Sequence, residues 1–221
     1  MTLVERPTIE QVTETFRHLP DDELLKTVSN RLRGLRINAF PRLGLGRDED
    51  PSDVFVDMYD LYKDNSEHQP TLDRLRKVCT TLTSRWATRD FVQTEKDALA
   101  MGELFYLSAR IKAKDTIPDI AKVAGDDHFS RVFIEGEDLQ SRALRSLGSL
   151  LSKEDQEANN QYKPLFEAAL EAKRPIGLTA LVHFWPEERE TFVEKAKTKN
   201  DEGLNNVVEN LDMILPTFTE D

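Results

Sequence analysis

Four histidines, one cysteine and a run of arginines hold most of the chemistry this chain could perform. Gly125-Asp126-Asp127-His128 is where an imidazole adjoins two carboxylates, and those residue types can hold a metal ion. The same residues behind a glycine also make a solvated turn, with side-chain oxygens accepting backbone N–H groups. The turn is the preferred reading: no His-Glu-x-x-His or Glu-x-x-His occurs, and no metal site is assigned. His183-Phe184-Trp185-Pro186-Glu187-Glu188 sets two aromatics and a histidine at a predicted helix end. Trp is enriched where binding energy concentrates, so His183 and Trp185 are candidate binding residues. The stronger expectation is that Phe184 and Trp185 close a core and that Pro186 with the two acids opens the next helix. Arg31, Arg33, Arg36, Arg42 and Arg47 follow one another with no acid between them, and Phe40 lies among them. Such a stretch could grip a phosphate backbone and stack a base, or meet an acidic protein surface.

Covalent chemistry finds no comparable foothold. Gly44-Leu45-Gly46 lacks the third glycine of a dinucleotide loop, and neither a nucleophile elbow nor a Walker loop occurs. No catalytic residue and no cofactor are assigned, and the chain is not expected to be an enzyme. Cys79 is the single cysteine, so an intramolecular disulfide is excluded; its helical context, Leu75 to Cys79, predicts a small buried apolar role.

A net charge of −11 opposes attraction to nucleic acid or to an anionic membrane as a whole, which weighs against the arginines as a polyanion site. They have a neutral alternative in the acids that follow: Asp48, Glu49, Asp50, Asp53, Asp57 and Asp60 come with no base between them. The first ten residues lack the apolar core of a signal peptide, and no apolar run reaches membrane-spanning length. A cytoplasmic protein without a membrane partner is therefore expected.

The elements that must position these residues read as helices throughout. Only 38% of residues are hydrophobic and 32% are charged, which favours thin helical architecture over a thick α/β core, and nine glycines argue against a large sheet. Thr8-Ile9-Glu10-Gln11 and Thr94-Glu95-Lys96-Asp97 have the form of capping boxes. Thr116-Ile117-Pro118-Asp119, Ser152-Lys153-Glu154-Asp155 and Thr191-Phe192-Val193-Glu194 carry the same start signal. Helices are predicted to Leu19, from Pro20 to Gly34, over Ser52–Lys63 and over Thr71–Thr88, with a last one carrying Leu204 to Leu215. Residues 1–90 form a helical region with an irregular charged loop and residues 91–221 a repeat-like region; the soft boundary, at Arg89 to Gln93, could be a turn within one continuous domain.

Within Thr94 to Lys199 a helix pair recurs. Ala100-Met101, Ala143-Leu144 and Ala180-Leu181 anchor three units spaced by 43 and 37 residues, and Ile117-Pro118 opens a second helix in the first of them. From Thr94 to Leu215 the chain resembles the HEAT/armadillo α-solenoid superfamily, whose repeats have this length. The resemblance implies an all-α fold of stacked antiparallel helix pairs. The tetratricopeptide repeat is second, on Leu147-Gly148 with Phe166, Ala169 and Pro175, and a non-repeating bundle is the third arrangement open. Solenoids present long surfaces to large ligands, so the implied function is an adaptor or scaffold binding another protein. A nucleic-acid-binding or DNA-acting HEAT-like protein, using Arg31 to Arg47, is the alternative.

Overall fold

In the computed structural model residues 8–34, 52–134 and 136–216 are described. They form twelve α-helices and one two-stranded antiparallel hairpin, so the fold is all-α. None of the described helices is long and apolar enough to cross a membrane. Two compact units divide the chain, Met1–Thr116 and Ile117–Asp221.

The first unit holds α1 (Ile9–His18), α2 (Asp21–Leu32), α3 (Asp53–Tyr62), α4 (Gln69–Trp86) and α5 (Glu95–Arg110). The capping box of Thr8 forms, with the hydroxyl accepting from the Gln11 N–H and the Gln11 side chain accepting from the Thr8 N–H. Apolar residues at helical spacing then meet in one core: Val12 and Phe16, Leu24 and Val28, Phe55 and Met58, Leu72, Leu75 and Leu82 are all enclosed. The Phe16 and Phe55 rings stack 5.8 Å apart. Arg74 of α4 closes the α1–α2 turn. Its guanidinium donates to the carbonyls of Phe16 (2.8 Å), Arg17 (3.1 Å) and Leu19, and to Asp21 (2.8 Å), taking up the orphan acceptors that a helix C-terminus leaves. The turn at 89–93, where the sequence places a soft boundary, lies inside this unit, with the Trp86 and Phe91 rings stacked 4.7 Å apart.

Cys79 is enclosed on α4. Burial pushes its thiol up to about 12, outweighing a hydrogen bond with Ser108 that acts the other way. A thiol reagent such as DTNB at pH 8 is therefore expected to leave native Cys79 unmodified and to label it as helix is lost in urea. Rapid stoichiometric labelling of the native chain would contradict this packing.

The second unit holds α6 (Ile117–Ala124), α7 (Leu139–Leu150), the short α8 (Gln156–Asn159), α9 (Lys163–Glu171), α10 (Pro175–Phe184), α11 (Arg189–Thr198) and α12 (Glu202–Ile214). The segment Pro175-Ile176-Gly177-Leu178-Thr179-Ala180-Leu181-Val182-His183-Phe184 has no polar face, and a helix apolar all round must be enclosed. Accordingly α10 is buried from Gly177 to Phe184 and packs on α7, α9, α11 and α12. The hydroxyl of Thr179 is accommodated by donating to the Pro175 carbonyl one turn back, at 3.2 Å. Ala143 and Ala180 are fully enclosed, as Ala100 is in the first unit. The packing frame is α6 on α7 and α9 on α10; α7 and α9, adjacent in the sequence reading, are separated by α8.

Three expected helix starts fall differently. Thr116 is enclosed and donates to the Ala113 carbonyl at 2.7 Å, closing a 3-10 turn before α6. Ser152 makes a local turn, and Asp155 caps α8 instead, accepting from the Ala158 N–H at 3.3 Å. Thr191 lies in the first turn of α11, which starts at Arg189 after a 3-10 turn over Pro186–Glu188. The hairpin β1 (Phe133–Ile134) and β2 (Glu137–Asp138) has no counterpart in the sequence reading. Gly136 takes its turn at φ +87°, a conformation open to glycine.

Candidate functional site

Two arginines of the 31–47 stretch are placed, both at the end of α2. Arg31 is enclosed. Arg33 donates to Asp97 at 2.8 Å and lies 5.8 Å from the centre of the Phe91 ring. Asp97 in turn completes the capping box of α5, accepting from the Thr94 N–H at 3.1 Å and the Thr94 hydroxyl at 2.7 Å. Burial works to raise the Asp97 carboxyl, but the Thr94 hydrogen bonds and the Arg33 guanidinium prevail and hold it below the usual carboxylate range. Arg33 thus serves an internal joint between α2 and α5. Arg36, Phe40, Arg42 and Arg47 lie outside the described residues.

His183 and Trp185 end α10. Trp185 is 1% exposed; its ring lies against Phe184 and Phe166, and its indole N–H donates to Asn160 at 2.8 Å. Lys163 sits 5.6 Å from the Trp185 ring while donating to Glu188 at 2.5 Å. The exposed-anchor reading of Trp185 thus meets a side chain that is part of the core. His183 is 3% exposed and forms part of the wall of a cleft of about 320 Å³. Val182 and Phe184 share the buried floor, and Lys153, Pro186 and Glu187 stand exposed at the mouth. Gln156 bridges the rim by donating to Glu187 at 2.7 Å, and Arg189 donates to Asp212 at 2.7 Å.

Burial holds the His183 imidazole down to about 4, and repulsion from Lys153 adds to the effect. Native His183 is therefore neutral at pH 7. Between its unfolded value of about 6.5 and its folded value of about 4, the unfolded chain takes up a proton that the native chain refuses. The contribution is complete above pH 6.5 and is lost as pH falls towards 4, with Lys153, Arg189 and Glu187 as the charged groups lining the same cleft. The urea midpoint of the wild type should accordingly fall further between pH 7 and pH 4.5 than that of His183→Gln. Parallel falls would contradict a buried neutral imidazole.

Sequence reasoning missed a largely buried ion pair of the second unit. Arg174, ahead of α10, donates to both Asp138 oxygens at 2.6 and 2.7 Å, and Asp138 caps α7 by accepting from the Ser141 N–H at 2.9 Å. The partners are 36 residues apart, so no local spacing signals them. Asp126 caps a 3-10 turn by accepting from the His128 N–H at 2.9 Å. Among the described residues no group of three or more His, Cys, Asp and Glu side chains could hold a metal ion. Among the described residues the geometry defines an all-α fold with a cleft of mixed apolar and charged lining at the end of the buried α10. Comparison with protein-family models, with curated proteins and with solved structures gave no match for this chain.

Proposed function

We propose that the chain is a helical-repeat module of HEAT/armadillo type that acts by binding another protein as an adaptor or scaffold. The observation that carries the reading is the packing of sequence neighbours, α4 on α5, α6 on α7, α9 on α10 and α11 on α12, with Ala100, Ala143 and Ala180 enclosed. Helix pairs of this kind bury one face in the stack and leave the other for a large ligand. The step from architecture to binding is an analogy between folds. A bundle wrapped around α10 is favoured by the burial of that helix on all sides, and it would leave the same outward faces for a partner.

Protein is preferred to nucleic acid as the partner for a reason of charge. Arg33 is committed to Asp97, Arg31 is enclosed, and the chain carries a net −11. Phosphate contacts need cations free to converge. In a fluorescence-anisotropy titration with labelled single-stranded and duplex oligonucleotides at 50 mM salt, the expected result is no saturable binding. Saturable binding that weakens steeply as salt rises would replace this reading with the nucleic-acid one.

A further inference from the structure

We propose that the cleft where α6 and α9 end is a binding site for a small zwitterion, an α-amino acid of the size of alanine. Four segments of the second unit build it: the end of α6 with the turn that follows, the first turns of α7, the last turns of α9, and Arg174 ahead of α10. Its volume is about 100 Å³. Pockets for drug-sized ligands begin at about 300 Å³, so only a handful of heavy atoms fit here. Leu144 and Leu165 with Ala168 and Ala172 line its apolar side.

The polar lining divides into donors and acceptors. Only one guanidinium nitrogen of Arg174 is engaged by the protein: Nη1 donates to both Asp138 oxygens and to the Ser141 hydroxyl. The Nε–Nη2 edge makes no bond among the described residues and is not enclosed. That edge carries two parallel N–H groups, the fork that matches a carboxylate. Gln140 is its complement. It is 7% exposed, and its amide nitrogen donates to the Ala124 carbonyl at 2.9 Å, which leaves Oε1 as an open acceptor. Asp127 stands exposed at the mouth, and its carboxylate has no ion-pair partner among the described residues. The two suit an ammonium group, which has donors and no acceptor.

Net charge alone does not choose the ligand. Asp138 balances Arg174, which leaves the cleft the single negative charge of Asp127. The C-terminal ends of α6 and α9 meet the N-terminal ends of α7 and α10 here, so the helix dipoles offset one another. A lone carboxylate fills the N–H edge but faces Asp127. A lone ammonium satisfies the acceptors and leaves the edge without a partner. A zwitterion matches both halves at once.

This site is independent of the protein-binding reading, and each can fail without the other. The probe is L-alanine, titrated into the 15N-labelled full chain at pH 7 and constant ionic strength and followed by amide chemical shifts. L-Alaninamide, which keeps the ammonium alone, and propionate, which keeps the carboxylate alone, are titrated in parallel. Saturable shifts centred on residues 124–127, 140–144 and 165–174 are expected for alanine, with each half-ligand at least about tenfold weaker, the effect of losing one charge-assisted contact. Asp127→Asn should weaken alanine by about tenfold as well. Asp127 is exposed, so that variant should keep the wild-type spectrum away from the cleft. The three-ligand comparison on the wild type decides the matter even if the variant fails to fold. Non-saturable shifts, shifts centred elsewhere, or a half-ligand that binds as tightly as alanine would overturn the proposal. So would undiminished binding by folded Asp127→Asn.

Discussion

Gly177→Ala is expected to cost the second unit about 3 kcal/mol or more and to lower its thermal midpoint by at least about 10 °C. A Cβ at this position would stand 2.5 Å from the Leu170 nitrogen, 2.7 Å from the Phe166 oxygen and 2.9 Å from the Ala169 carbonyl carbon. All three atoms are backbone of α9, so no rotamer change relieves the overlap. The only relief is to move α10 off α9, and α10 is the helix around which the unit packs. Gly203→Ala is the matched control. Its added methyl would meet the Asp201 carboxylate at 3.3 Å and the Pro175 ring at 3.4 Å, both side chains, and alanine is the better helix former by about 1 kcal/mol. A change of less than about 1 kcal/mol is expected there. Equal melting curves for wild type and Gly177→Ala would mean that α9 and α10 do not approach as described.

Trp185→Ala should cost about 3 to 5 kcal/mol, the range for emptying a buried aromatic site. Trp185 is 1% exposed, packs with Phe166 and Phe184, and carries Lys163 over its face. Trp185→Phe keeps a ring in the site and should cost less, because Asn160 is exposed and can replace the lost indole donor with water. Urea unfolding of the three proteins followed by far-UV circular dichroism measures the series. The outcome also separates two roles. A core residue loses stability on truncation, whereas an interface anchor would leave the midpoint unchanged and lose only the partner.

Helices with strong local signals were legible in the sequence. Thr8 and Thr94 form the expected capping boxes, and the helices expected up to Leu19 and over Ser52–Lys63 form, with Val12, Phe16, Phe55 and Met58 buried. Cys79 lies in the core for the reason its helical context suggests. Long-range pairing was not legible. Arg33 with Asp97 and Arg174 with Asp138 join residues 64 and 36 positions apart, and only the folded chain brings them together. Turns that use unfavourable residues were also hidden. Lys112 and Lys173 take left-handed conformations at φ 55° and 61°, where glycine is the usual signal of a helix end. Each is followed by an N–H that reaches five residues back, Ala113 to Ser108 and Arg174 to Ala169, both at 2.9 Å. The cleft at the end of α10 was not legible either, because it is assembled from four segments distant in sequence, of which only the stretch from His183 to Glu188 carries a binding signal of its own.

The protein-partner reading is tested most directly by affinity capture from native lysate, divided into nuclease-treated and untreated halves and fixed with a short amine crosslinker. The predicted result is the same set of crosslinked protein bands in both halves, persisting when nucleic acid is destroyed. Bands that vanish with nuclease would contradict it and return the function to the arginines of residues 31–47.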